Sequence, residues 1–272
     1  MGTRQQSRLW DLRGYLTAFA TLILFVCADL LERTIVVALI KLKPSARNGI
    51  LHSWQRRISL LTIGIIRRIG GVPVEINPEI PWGDGVLVVM NHQSIIDIPL
   101  AFLTVVGGYS RIITRERYRS GLPLISHMIR LYDHPTVQPG ERISTEIRKL
   151  RKLAVTSVHP IVIFPEGARS RDGEIGQFNT AGLRTLLTAR TWKVHAVVVD
   201  GLWRATSPSD FARNVKSMRV RVEEVGAFDF NHKTDDAAQF AAKLEQDIRA
   251  GLNDMRRAST THGADSAANA SN

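Results

Sequence analysis

Val86-Leu87-Val88-Val89-Met90-Asn91-His92-Gln93-Ser94-Ile95-Ile96-Asp97 is the stretch on which the fold turns. Five apolar residues in a row, without polar alternation, describe a short strand buried on both faces, as in a sheet covered by helices. The polar Asn91-His92 then leaves the strand end, where α/β folds carry functional side chains. Ser94-Ile95-Ile96-Asp97 matches a capping box, with Ser94 as N-cap and Asp97 three residues into the next helix. The same turn brings Asp97 within reach of the His92 ring. A carboxylate on Nδ1–H holds the imidazole in one tautomer and leaves Nε2 to accept a hydroxyl proton. Both roles stay open for Asp97. Ser94 reads as a cap or turn residue, since no Gly-x-Ser-x-Gly elbow surrounds it.

A second strand ends in chemistry at Ile161-Val162-Ile163-Phe164-Pro165-Glu166-Gly167-Ala168-Arg169. Pro165 stops the ladder, and Glu166-Gly167 turns the chain. Gly167 allows backbone N–H groups to approach an anion, while Arg169, with Arg171 nearby, offers a fork for phosphate oxygens. Alone, this would be a charged exposed turn. Paired with His92 and Asp97, it points to a hydroxyl deprotonated beside a bound phosphate.

Outward from these two segments, strand signals fall at residues 72–76, 111–114, 194–199 and 218–225, and helix signals at 98–106, 122–131, 141–158, 180–189 and 235–255. Short strands alternating with longer helices predict an α/β domain over residues 71–255, with a mixed central sheet covered by helices. Residues 256–272, rich in Ser, Thr, Ala and Asn without periodicity, are expected to be a disordered tail.

Residues 1–70 have a different texture. The uncharged run 15–28 spans roughly 21 Å at about 1.5 Å per residue, short of a bilayer core. Further apolar runs follow at 34–40 and 58–66, bracketed by arginines. A cleaved secretory signal, a single span and a monotopic or re-entrant anchor are the three alternatives. A membrane-docking helical segment on the cytoplasmic face of the cell membrane fits the flanking cations best. Trp10 and Trp54 are candidates for headgroup level or for ordinary packing.

The net charge of +11 calls for an anionic partner. Nucleic acid is disfavoured, because no Walker loop, zinc-finger spacing, basic zipper or RNA-recognition motif occurs. A single cysteine, Cys27, allows neither a disulfide framework nor a Cys-based zinc site. His52, His127, His159, His195, His232 and His262 have no partnered spacing and are expected to be structural or exposed.

Taken together, the two motifs resemble those of the glycerolipid acyltransferases, typified by 1-acyl-glycerol-3-phosphate acyltransferase. That family carries Asn-His-x4-Asp followed by Phe-Pro-Glu-Gly-Thr-Arg-Ser. Here the first reads Asn91-His92-Gln93-Ser94-Ile95-Ile96-Asp97. The second reads Phe164-Pro165-Glu166-Gly167-Ala168-Arg169-Ser170, with alanine for threonine. The likeness extends over about residues 72–225. Thr114-Arg115-Glu116-Arg117-Tyr118 resembles the family's Lys-x-Glu-Leu-like segment, which implies a substrate-binding role for Arg115. Asp133-His134 stands where the family has an Asp-Arg pair, so Arg130, Arg142 or a protonated His134 would have to supply the second phosphate cation. Ala196-Val197-Val198-Val199 lacks the proline of the family's Val-Pro-Val-like strand.

The resemblance implies direct attack without an acyl-enzyme. His92, polarised by Asp97, would deprotonate the acceptor hydroxyl. Arg169, with Glu166 and Gly167 shaping the turn, would hold the acceptor phosphate. The implied partners are a lysophospholipid, 1-acyl-glycerol-3-phosphate first, and an acyl thioester of coenzyme A or acyl carrier protein at a membrane surface. No metal or organic cofactor is implied. The alternatives are another acceptor (a different lysophospholipid, lyso-ornithine lipid or a glycolipid) or an inert membrane-binding scaffold.

Overall fold

The computed structural model describes residues 2–138, 143–205 and 208–269. Six strands form the main sheet: β1 (Val74–Ile76), β2 (Val86–Met90), β3 (Arg111–Ile112), β4 (Ile161–Ile163), β5 (Trp192–Asp200) and β6 (Val220–Phe230). Their spatial order is β1-β6-β5-β2-β4-β3. All neighbours run parallel except β5 and β6, which pair antiparallel, so the sheet is mixed as expected. A register shift between Glu224 and Gly226 lets β6 continue beyond the expected end at residue 225.

The period of two in strand side chains divides the core. Val88, Met90, Val162, Val197 and Val199 face one side. There they meet α2 (Arg47–Arg68), α3 (Asp97–Thr104) and α4 (Ile125–Leu131) through Leu51, Ile58, Ile66, Leu100 and Met128. Leu87, Val89, Ile161, Ile163, Val194, Ala196 and Val198 face the other. There they meet α5 (Ile143–Thr156), α6 (Thr180–Leu187) and α7 (Ala237–Asn269) through Leu150, Leu183, Leu187, Leu244 and Ile248. β2 and β4 lie side by side at the centre, so the loops that follow them emerge next to each other.

Helix α7 runs to Asn269, through most of the segment expected to be a disordered tail. Arg256 explains why it does not stop at Met255. The guanidinium bonds Asp200 (3.0 Å), Glu174 (2.8 Å) and the Gly173 carbonyl (2.6 Å), tying the helix to loops at the sheet's edge. Alanines beyond it favour continuation.

The N-terminal helix α1 (Gly2–Leu31) passes through a π turn (Glu32–Val36) into Val37–Leu42. Among the described residues, no helix is long and apolar enough to cross a membrane. One side of α1 joins the body of the protein. Ala28 and Phe25 pack into the same core as Ile58 and Ile66. A Cβ on Gly14 would lie 2.3 Å from the backbone of Ala212, which is how closely α1 approaches the short helix Pro208–Asn214. The other side presents Leu12, Tyr15, Leu16, Phe19, Leu22, Ile23, Val26 and Leu30 to the surroundings. Trp54 packs against the core with its indole nitrogen buried, so ordinary packing is its role; the Trp10 side chain lies outside the described set.

The π turn holds Glu32 fully buried beside Trp54, with His127 Nδ1 3.3 Å away. Burial raises the Glu32 pKa to about 8, against a weaker pull from Trp54. Burial likewise keeps His127 below its usual value, so near neutral pH the two meet uncharged. Between pH 4.5 and about 8 the unfolded chain loses the Glu32 proton while the folded chain keeps it. Stability therefore falls as pH rises across that window. Glu32→Gln is expected to raise the melting temperature by several degrees at pH 8 and hardly at pH 4.5. An equal gain at both ends would show that the carboxyl is ionised throughout.

Candidate active site

At the end of β2, Asn91 locks the chain to β5. Its amide donates to the Val199 carbonyl (2.9 Å) and accepts the Val199 N–H (2.7 Å). Gln93 accepts the Leu202 N–H (2.9 Å) and donates to Asp200 (3.1 Å). Between these anchors the His92 ring turns out of the core. Its Nδ1 sits 2.8 Å from Asp97 Oδ2, and the ring stacks on Phe164 with centroids 4.4 Å apart.

Asp97 is completely buried at the first turn of α3. Its Oδ2 also accepts the N–H groups of Gln93 (2.6 Å) and Ser94 (2.7 Å). Three donors on one oxygen require an acceptor there, so Nδ1 carries the imidazole proton and Nε2 keeps its lone pair. Nε2 has no protein partner among the described residues, and His92 lines the main cavity. The expected capping box is not formed: the helix starts at Asp97 itself with Ile96 at its N-cap, and the Asp97 carboxylate reaches back over the preceding turn to the Ser94 N–H. The Ser94 hydroxyl instead donates to the Ala205 carbonyl (2.8 Å), which fastens this loop to the one after β5.

The loop after β4 closes against the first. Glu166 Oε1 accepts the His92 N–H and Oε2 the Gly176 N–H, each at 2.7 Å. The Ser170 N–H donates back to the His92 carbonyl (2.8 Å). Burial raises the Glu166 pKa, and the two N–H bonds oppose it. Both carboxylate oxygens thus serve the protein's own backbone: Glu166 joins the loops. Gly167 differs from expectation too. At φ +65° it occupies a left-handed conformation, and its N–H closes a turn onto the Phe164 carbonyl (3.1 Å) instead of facing an anion. Its carbonyl accepts Arg115, which pulls that arginine to the rim of the site.

Both loops border one cavity of about 1350 Å³. His92 lines it together with Arg115, Arg117, Arg169, Arg171 and Arg204, so an acceptor for a hydroxyl proton and a set of guanidiniums share one space. A second chamber of about 390 Å³ adjoins it, between α1, α2, α3 and α4. Ile95, Ile98, Ile112, Thr114, Ile125 and Arg169 belong to both walls. The inner chamber is apolar, bounded by Phe25, Ile58, Ile66, Phe102, Leu124 and Met128. A polar headgroup fits the outer space and a hydrocarbon chain the inner one.

The family model described as Acyltransferase matches residues 71–199, the stretch that holds both loops. Residues 71–199 belong to the acyltransferase family. Across the whole fold, the chain is similar to the crystal structure of the 1-acyl-sn-glycerophosphate (LPA) acyltransferase PlsC from Thermotoga maritima. The TM-score is 0.65 at 18% identity, covering 93% of this chain and 97% of that one, a likeness of fold. No curated protein matches the chain.

Asp133-His134 does not provide a cation. His134 is buried, its Nδ1 accepts the Ile112 N–H (3.1 Å), and burial with the nearby Arg111 lowers its pKa to about 3. Arg130 donates to the Arg119 carbonyl, and Arg142 lies outside the described residues. Arg117 and Arg204, which line the cavity, are the cations that sequence reasoning did not assign to it. The tandem of arginines around the Glu166 turn signalled Arg171. Nothing local marked Arg204, which is brought in by the loop after β5.

Proposed function

We propose that this acyltransferase moves a fatty acyl chain from an acyl thioester, coenzyme A or acyl carrier protein, to the free hydroxyl of a lysophospholipid. Its acceptor on this reading is 1-acyl-glycerol-3-phosphate and its product phosphatidic acid. The observation that carries the proposal is the shared cavity, in which the open Nε2 of His92 stands among guanidiniums beside an apolar chamber. The headgroup phosphate pairs with Arg169 and its neighbours, which orients the hydroxyl toward Nε2. His92 takes the hydroxyl proton as the oxygen adds to the thioester carbonyl. The tetrahedral intermediate collapses with loss of the C–S bond, and the thiolate leaves, to be protonated by the imidazolium. Thiolate is a good leaving group, so this route calls for no metal.

The exposed apolar side of α1, continued by Ile35, Leu39 and Leu42 and by Leu60 and Leu61 of α2, supports docking on a membrane surface. Substrate and product both partition there. The arginines of the segment suit anionic headgroups on the cytoplasmic face.

The test is a panel of lysolipids in vesicles, offered with acyl-CoA and separately with acyl carrier protein thioester, with products followed by mass. Phosphate monoester acceptors are expected to be used best, and the protein to float with anionic vesicles. Turnover only of phosphate-free acceptors would instead favour the second reading, acylation of another lysolipid, to which the uncharged His134 gives some weight.

A further inference from the structure

The inner chamber contains one feature that a plain hydrocarbon cannot satisfy. His134 lies in its wall, 7% exposed, with its ring nearly parallel to Phe102 (11°) and Tyr132 (7°) at centroid distances of 5.9 and 5.6 Å. Nδ1 accepts the Ile112 N–H, so the ring proton is on Nε2, at the opposite edge. The lowered pKa keeps the ring neutral, hence the tautomer is constant across the physiological range. Among the described residues Nε2 has no acceptor. The hydroxyls in the same wall do not accept it, and their own protons are engaged elsewhere. Thr17, Thr21, Ser59 and Thr62 each donate to the carbonyl four residues earlier in their own helix, at 2.7–2.8 Å. Their protons are committed, and their remaining lone pairs can accept.

Apart from Arg169, which the inner chamber shares with the outer cavity, the wall therefore offers one fixed neutral N–H donor and several acceptor oxygens in an otherwise apolar space. A saturated chain would leave the donor unsatisfied, which is unfavourable in a buried site. We propose that the inner chamber takes an acyl chain bearing an oxygen substituent, a hydroxyl, whose oxygen accepts the His134 Nε2–H and whose own proton goes to a hydroxyl of the wall. This rests on the acyl-transfer reading and makes His134 a specificity determinant within it. The chain could belong to the thioester or to the lysolipid, and the arms of the test separate the two.

Purified full-length protein is given matched pairs of plain and hydroxylated acyl thioesters, with the hydroxyl moved along the chain, on a plain lysolipid. The reverse arm gives matched lysolipids with a plain thioester. At one hydroxyl position in one arm, kcat/KM is expected to exceed that of the plain partner by about tenfold. His134→Asn keeps an acceptor for the Ile112 N–H while withdrawing the donor from the far edge of the ring. It should abolish the preference, read as the ratio of kcat/KM for hydroxylated over plain chains in the same preparation. His134→Phe keeps the aromatic stack without a ring N–H, and the same ratio should fall to about one. Equal use of plain and hydroxylated chains by wild type at every position overturns the proposal, whether or not the variants fold. So does a preference that survives in a folded variant. Plain-chain transfer without preference leaves acyl transfer standing, whereas no transfer from any thioester removes both.

Discussion

His92→Ala is expected to lower turnover by roughly 10²–10⁴-fold, the usual worth of a positioned general base. Binding to vesicles and the melting temperature should change little, because the side chain lines the cavity and is held by a stack on Phe164 and a bond to Asp97. Asp97→Asn tests the other half of the pair. An asparagine fills the same buried space and, with its amide oxygen in the place of Oδ2, can accept the same three N–H groups, but it carries no negative charge and buries an NH2 where Oδ1 stands without a partner. The imidazolium that forms as His92 takes the hydroxyl proton then loses its carboxylate, and activity should fall by about 10²-fold or more. Rates of acyl transfer under saturating thioester, with circular dichroism as the check on folding, distinguish these outcomes. A His92→Ala protein that transfers acyl chains as well as wild type removes His92 from the chemistry.

Arg169→Ala is the second large effect. Arg169 borders both the outer cavity and the inner chamber, the position at which a headgroup phosphate and the reacting carbons of two lipids would meet. Loss of a bidentate, charge-assisted contact costs about 3 kcal/mol, on the order of 10²-fold in kcat/KM for a phosphate-bearing acceptor. Arg169→Lys should recover part of that, since it restores the charge but not the fork. Acceptors without phosphate should be affected far less. A uniform loss across both acceptor classes would mean that the residue supports the loop and does not read the headgroup.

How much of this could be seen in the chain alone differs by element. The uninterrupted apolar runs at Val86–Met90 and Ile161–Ile163 marked the two central strands, because only a doubly covered strand tolerates such a run. His92 and Asp97 were legible together because one turn connects them. Glu166 was legible as shaping its turn, but its partners were not: they are the backbone N–H groups of His92 and Gly176, one of them 74 residues away. A backbone N–H has no residue identity, so no sequence pattern announces it. His127 and His195 are structural, as the lack of partnered spacing in the sequence predicts; their partners, Glu32 at 3.3 Å and Glu224 at 2.6 Å, are reached only across the fold.

The N-terminal segment was half legible. Its hydrophobic residues read as a membrane-docking unit, and the outward row on α1 agrees with that pattern. The inward row of α1 and α2 closes the inner chamber with Phe25, Ile58, Thr62 and Ile66, making the segment part of the site. An amphipathic pattern gives the division into two faces and leaves open what each face meets.

Sequence by itself determined the layered α/β class, the two loops that carry the chemistry and the His92–Asp97 pair, since all of these follow from local periodicity and short-range geometry. Tertiary structure alone decided that Glu166 clamps the loops, that His134 is a neutral buried donor, and that arginines from three separate segments line one cavity. Those properties depend on burial and on neighbours distant in the chain, and both come into being only when the sheet brings the ends of β2 and β4 together.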